Sequence, residues 1–535
     1  MEEFISKAKA KAERLYAIDP PESYPLSMLL GSLQGLAANS SEEQIIVKVG
    51  AYELYRSALK KEFKCRIIER DEQGRAYDVL SLVKYFSDVP DGYILIPDDP
   101  ASPAAPVAIT LAHHLNALVV TESIADSVKS SLIPELLDAR SLDERWLRSS
   151  KYWEMINKKT AVEQPAASAP KLVDYAVMAG CYFGFSDSTD RLAHTEKFSF
   201  LEPGAVVFGW NNVLGEYDTV GSFSSLNVCL VPADHAFNLS TLSSFAPDTL
   251  FPKYNGAAAY PEKHSGGISG ILNERINELK PSDKLEDEDS HSVCFIMSDG
   301  DNLQWLLNGF ASSENWFGSP LRGKFPLGWG MCGTALDIAS PMLSYLYGAM
   351  SKNDEFILQL SGRGYTFPSL WKPSELEKMI LKLSLDMKRM GIGFAEVLDD
   401  DGFKPDLIAP FLSRPEIKAL FYIDYWNYAG MCGDILWHEG KPAISAKYRL
   451  WATLPDGEID AVANSINNSS VNRRLPGSYS FVIVHCWSGL DEYGNLVPDG
   501  NTMQALDRLV SKFNKNVRVL SPADFVNKMI KNLQK

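Results

Sequence analysis

The sequence predicts an α/β protein, with N-terminal α/β domains followed by a C-terminal (β/α) barrel-like domain of about seven or eight strands. Three observations carry that reading. Short apolar runs alternate with helical patterns along most of the 535 residues. From Val293 onward a strand-then-helix pattern recurs at intervals of about 25 to 37 residues, long enough for a βα unit. In that second half, strand after strand ends in a carboxylate, an aromatic, a histidine or a glycine, which a parallel barrel gathers at one rim. The length accommodates several domains, and the expected division is 1–160, 161–285 and 286–535.

The first twenty residues, MEEFISKAKAKAERLYAIDP, read as a charged amphipathic helix and not as a signal peptide. Strand candidates follow at 44–49, 65–69, 93–97 and 117–120, with a helix candidate at 106–116. Gly31, Gly35 and Gly50 form no GxGxxG after a strand, so no dinucleotide site is expected. His113 and His114 are adjacent on a helix and face different directions, which argues against a metal site. The stretch AVEQPAASAP, residues 161–170, reads as a linker. Buried strands at 205–210 and 226–232 end in polar clusters that include Glu216, Asp234 and Asn238, which either share a cleft or are ordinary loop polarity. The charged stretch 281–290 reads as a second linker.

Beyond it, strands are expected at 293–297, 325–331, 355–360, 392–398, 419–423, 443–450, 480–484 and 517–520. Helices are expected after Ser340–Pro341, after a capping box of Ser374 and Glu377, near Asn501, and after Ser521–Pro522.

With 45% hydrophobic and 22% charged residues, the composition is that of a globular protein. A net charge of −16 argues against nucleic acid or an anionic membrane as the main partner, since both need positive patches. A neutral or cationic small molecule, or a neutral polymer such as a glycan, fits. The seven cysteines are scattered without a CxxC, which predicts reduced, buried thiols and neither a disulfide framework nor a zinc knuckle. No cofactor or metal is called for. As written the chain reads as cytoplasmic, or as secreted or periplasmic if a leader has been trimmed.

The stretch SVCFIMSDGDNLQW at residues 292–305 draws most attention. An apolar run breaks into Ser298, Asp299, Gly300, Asp301 and Asn302. If the strand stays extended, Asp299 and Asp301 point to one side with Cα atoms roughly 6–7 Å apart. Gly300 permits a sharp turn or a close approach. Other strand ends supply Glu396, Asp399 and Asp400, then Asp424, Tyr425 and Trp426, then His485 and Trp487. Glu396 lies inside an apolar run, where a carboxyl is costly unless it faces a polar centre.

The run Gly362-Arg363-Gly364-Tyr365-Thr366-Phe367-Pro368 resembles the motif that names the GxGYxYP family, a group assigned to glycoside hydrolysis by inference. The resemblance extends to SDGDN at 298–302, LQG at 33–35 and GW at 209–210. It implies N-terminal α/β domains, a barrel-like catalytic domain and a carbohydrate substrate. Phe367 stands where the family has tyrosine. If that hydroxyl binds sugar, this chain lacks the contact; if the ring only packs, little changes. Tyr365 and Phe367 offer either sugar-facing rings or core packing.

Glycoside hydrolysis needs two carboxyl groups across the scissile bond, one held protonated. The candidates are Asp299, Asp301, Glu396, Asp399 and Asp400, with Asp301 and either Glu396 or Asp399 as the working pair. Asn302, Arg363, Gly364, Tyr365, Asp424, Tyr425, Trp426, His485 and Trp487 are the expected substrate contacts. Two further readings stay open. One is a metal-dependent carbohydrate deacetylase using Asp299, Asp301, Asn302 and His485 as ligands, although no HxxxH or HExxH supports it. The other is a glycan-binding protein without catalysis.

Overall fold

Tertiary pairing overrides helix propensity at the start of the chain. A computed structural model describes residues 5–131, 133–246, 288–430, 432–451, 453–489, 495–497 and 500–534. The expected N-terminal helix is instead strand β1, Arg14–Ile18. Leu15 to Ile18 form an apolar run with parallel strands on both sides, β2 (Glu43–Val47) and β3 (Arg66–Ile68). Burying that run in the centre of a sheet outweighs the helical preference of the Lys, Ala and Glu residues around it.

The described residues fall into two compact units. One takes those within Met1–Pro247, Leu303–Asn308 and Thr334–Tyr345; the other takes those within Asp248–Asn302, Gly309–Gly333 and Leu346–Lys535. The first unit holds three parallel sheets. The β1 sheet has the order β2-β1-β3. A second contains β4 (Gly92–Ile96), β5 (Ala117–Thr121) and β6 (Glu135–Asp138) in the order β5-β4-β6. The third contains β7 (Asn157–Gln164), β8 (Cys181–Phe185), β9 (Val206–Gly209) and β10 (Cys229–Pro232) in the order β10-β9-β7-β8.

The supposed linker at 161–170 is not one. Residues 161–164 are the buried end of β7, paired with β8 on one side and β9 on the other. Glu163 there is hydrogen-bonded by His194 and Asn211, so its polarity is satisfied inside the core. Of the second expected linker, 281–287 lies outside the described residues.

The second unit is built on one ten-stranded sheet. Its strands are β11 (His291–Met297), β12 (Leu327–Cys332), β13 (Asp354–Gln359), β14 (Phe394–Asp399), β15 (Ala419–Asp424), β16 (Ile435–His438), β17 (Lys441–Ser445), β18 (Tyr448–Leu450), β19 (Tyr479–Val484) and β20 (Val517–Val519). The order is β16-β17-β15-β14-β13-β12-β11-β19-β18, with β20 also on β11. The described pairs are parallel except β16 with β17.

The expected strand at 443–450 divides into β17 and β18, which pair near opposite ends of this ladder. Two residues separate them. The Ala446 N–H donates to Tyr422 O on β15 at 2.9 Å, and the Lys447 N–H donates to Phe481 O on β19 at 2.9 Å. So short a bridge forces the sheet to curl into the expected barrel-like form.

Two helix starts follow their sequence signals. Asn501 caps Thr502–Ser511 with a capping box to Gln504, and Ser521 caps Pro522–Leu533. The helix after the GxGYxFP run starts at Pro373, ahead of the anticipated box, because proline fits the first helical turn, where the missing N–H costs nothing.

Candidate active site

Beyond Met297, β11 turns sharply. Asp299 takes a left-handed backbone (φ 64°), so Asp299 and Asp301 do not sit on an extended strand as anticipated. The cause is Gly300. A Cβ built on it would lie 1.9 Å from the backbone of Gly330 in β12. The turn is therefore pressed against its neighbour, and only glycine fits. Gln359, at the end of β13, clamps it: its Oε1 accepts the Gly300 N–H at 2.7 Å, and its Nε2 donates to Met297 O at 3.0 Å. The Asn302 N–H closes the turn onto Asp299 O at 3.1 Å. Gly300→Ala should cost at least ~3 kcal/mol of stability and collapse any activity, because backbone and not a yielding side chain meets the new methyl. Chemical denaturation of the variant checks this; an unchanged midpoint would contradict it.

Glu396 lies on β14 and is fully buried. Gln359 is a neighbouring donor, but neither carboxylate oxygen completes a hydrogen bond. Burial pushes its pKa well above the ordinary glutamate range, and the charges of Asp301 and Asp299 push it the same way. It lies beside two other carboxyl groups. Asp301 is 4% exposed, while Asp299 is half-exposed and bonded by the Ser298 hydroxyl.

His485 follows β19 and lies within reach of the same charge. Burial lowers its pKa while Asp299 opposes the shift, leaving a neutral imidazole. Its ring lies flat on Trp451 with centroids 3.6 Å apart, and Tyr428 meets it edge-on. Nδ1 completes no hydrogen bond.

Asp399 belongs to a different group. Its carboxylate accepts the Ser369 N–H (2.7 Å) and hydroxyl (2.6 Å), and the N–H groups of Asp400 (2.8 Å) and Asp401 (3.2 Å). Burial still holds its pKa above the usual value. With its acceptor sites occupied, Asp399 ties the end of β14 to the loop after β13. Asp400 lies past the end of the strand and is half-exposed. Asp424 faces Asp399 across β14 and β15, and its Oδ1 accepts the N–H groups of Trp426 (3.1 Å) and Asn427 (3.2 Å). The structure thus sorts the candidate acids into two sets: Glu396 with Asp301 and Asp299, and Asp399 with Asp400 and Asp424.

The glycine-aromatic run lies between these sets. The residue just before it, Ser361, is left-handed (φ 61°), and its N–H donates to Glu396 O at 2.8 Å. The Ser361 hydroxyl donates to Leu398 O and accepts the Leu398 N–H, each at 3.0 Å. A side chain therefore continues the β13–β14 ladder beside Glu396. Arg363 is buried in an ion pair with Asp386 (2.6 Å) on the helix Pro373–Met390, so its guanidinium anchors the loop. Gly364 and Tyr365 are buried. Phe367 is fully buried, edge-on to Tyr365 at 5.9 Å and to Tyr425 at 5.3 Å. Its ring packs among aromatic neighbours. Trp426, 66% exposed, and Trp487, 37% exposed, offer open aromatic faces. Trp487 rests edge-on against Trp316, whose indole N–H donates to Cys486 O at 2.8 Å.

Comparison with known proteins agrees in extent. Models of the GxGYxYP family match residues 90–156 (second domain), 157–244 (third domain) and 289–530, the last described as "GxGYxYP putative glycoside hydrolase C-terminal domain". The chain belongs to the GxGYxYP family. It is similar over 99% of its length to 97% of a structure described as a putative hydrolase from Bacteroides thetaiotaomicron, with 26% identity and a TM-score of 0.83. A 4-alpha-glucanotransferase from Thermococcus litoralis shares 9% identity over 45% of this chain and 40% of its own, at a TM-score of 0.29, too slight to inform the fold. No curated protein matches the sequence.

Within this GxGYxYP protein, several side chains at the site escaped the sequence reading. Gln359 carried a signal, a lone amide closing the apolar run EFILQ. Ser361, Ser369 and Trp451 carried none, since loop serines and aromatics are common. Among the described residues no three His, Cys, Asp or Glu side chains form a group able to hold a metal ion, and no helix is long and apolar enough to cross a membrane.

Proposed function

We propose that the protein hydrolyses a glycan, with Glu396 and Asp301 as the reacting carboxyl pair. One observation carries this reading: a buried glutamic acid inside β14, its pKa raised, shares the field of two aspartates just past the carboxyl end of β11, where parallel sheets place their chemistry. Glu396 gives its proton to the glycosidic oxygen as the C–O bond breaks. Asp301 attacks the anomeric carbon, or takes a proton from the attacking water. Burial favours the protonated form of Glu396, and the like charges of Asp301 and Asp299 add to the shift. Neutral His485 offers a hydrogen bond to a sugar hydroxyl, and Trp426 and Trp487 supply faces for sugar rings.

Glu396 is sealed from solvent, so substrate meets Asp299 and the aromatic faces first and must shift the cover over the acid. That burial also favours a second reading, in which the cleft holds a glycan without cleaving it. A panel of chromogenic glycosides and natural glycans separates the two. Released product supports hydrolysis, whereas binding without product supports the second reading.

Under the hydrolase reading, Trp426→Ala should raise KM about 2–10-fold with kcat nearly unchanged, the amount one stacking contact supplies. Steady-state kinetics on the best glycan checks it, and an unaltered KM would remove Trp426 from the binding surface.

A further inference from the structure

The first unit contains a cavity of about 230 Å³ that the proposed chemistry leaves unused. Its walls include Leu30 and Gln34 from the helix Tyr24–Ser40, Pro170 and Lys171 before the helix Val173–Ala179, Asp174 on that helix, and Phe237. Gln34 belongs to the LQG run at 33–35. Here Gln34 builds the floor: its Nε2 lies 3.0 Å from Ile45 O, 2.9 Å from Asn238 Oδ1 and 3.2 Å from Thr241 Oγ1. Asn238 in turn accepts the Val47 N–H at 2.8 Å and donates to Val47 O at 2.9 Å. Gly35 admits the second helix, since a Cβ there would sit 2.5 Å from Asp174 O.

The floor is thus satisfied, but Asp174 is not. Its Oδ2 accepts the N–H (3.0 Å) and hydroxyl (2.7 Å) of Ser240. Its Oδ1 is buried and completes no hydrogen bond, the backbone N–H groups of Asp174 and Tyr175 being the nearby donors. Leaving a carboxylate oxygen unmet is costly, and a ligand donor recovers that cost. Burial raises the Asp174 carboxyl to about 6, so it is still mostly ionised at neutral pH. Lys171, half-buried and bonded to the His235 ring, places an ammonium donor on the same wall. Phe237, Leu30 and Pro170 supply apolar surface.

We infer that this cavity is a binding site for a single small polyol, a monosaccharide, with one hydroxyl donating to Asp174 Oδ1, another accepting from Lys171 Nζ, and the apolar ring face against Phe237. The volume holds a single sugar ring. A hydroxylated ring suits the lining better than a lone amine, because a hydroxyl can both donate and accept whereas an ammonium would oppose Lys171. This site is separate from the acid pair in the second unit and stands whether or not that pair cleaves glycans.

Saturation-transfer NMR titrations of the full chain with D-glucose, D-galactose and D-mannose test it, using n-propylamine as the amine probe. At least one monosaccharide should bind, and Asp174→Asn should weaken it by about tenfold or more, as loss of a bond to a charged group does. Lys171→Met, at a half-exposed position that a folded chain tolerates, should weaken it similarly. Wild-type affinity in folded Lys171→Met, no binding by any of the three sugars, or binding of n-propylamine alone overturns the inference. So does a sugar signal abolished by Trp426→Ala, which places the ligand in the other unit.

Discussion

Glu396→Gln should lower kcat by about 10²–10⁴-fold on any glycan the protein cleaves, with KM little changed and the fold intact. The amide is nearly isosteric but carries no transferable proton. The carboxyl oxygens it replaces have no completed hydrogen bonds, so little structure is lost with them. Asp301→Asn should be comparably inactive, since the second carboxyl group is then missing. Asp299→Asn should be milder and more telling. Removing its negative charge lowers the pKa of Glu396, because a like charge had raised it. The alkaline limb of kcat/KM, set by loss of the acid's proton, therefore moves to lower pH. Turnover assays across pH with folded variants check the set. Full activity in Glu396→Gln, or an alkaline limb that moves upward in Asp299→Asn, would end the acid's role.

The second large effect concerns stability. Glu355 on β13 is buried; its Oε2 accepts the Ala523 N–H at 3.0 Å, while its Oε1 completes no hydrogen bond. Burial raises its pKa from the ordinary 4.5 to about 8, with the nearby charge of Asp524 adding to the shift. The sign follows from linkage. Below pH 4.5 the carboxyl is protonated in both folded and unfolded chains, and the full stability is present. Between 4.5 and 8 the unfolded chain releases the proton while the folded chain retains it, so stability falls as pH rises. At ~1.4 kcal/mol per pH unit the loss amounts to roughly 5 kcal/mol by pH 8. Glu355→Gln removes this titration. It should stabilise the protein by about 2–4 kcal/mol at pH 8 and flatten the decline between pH 5 and 8. Denaturant midpoints at several pH values test this, and parallel pH slopes for the two proteins would refute it.

Most strands were legible because a buried parallel strand needs an unbroken apolar run, and such runs are visible without coordinates. The run at 480–484 is β19 with one residue added, and 419–423 is β15 lacking only Asp424. The failures have a common cause. Residues 14–18 read as part of a helix and 161–164 as part of a linker, yet both stretches lie in central strands, because neighbours distant in sequence supply the pairing. The turn at Asp299 departs from an extended strand for the same kind of reason: Gly300 is pressed against Gly330, thirty residues further along the chain.

By itself, the sequence determined the α/β class, the family motif and the set of acids available for chemistry, since each depends on composition and local spacing. Tertiary structure alone decided which acids lie together. Glu396 is coupled to Asp301 and Asp299 from another strand, while Asp399, only three residues away, is turned to Ser369 and fully bonded. Charge interaction and desolvation depend on distance through space and on burial, and neither quantity is written in the order of residues along a chain.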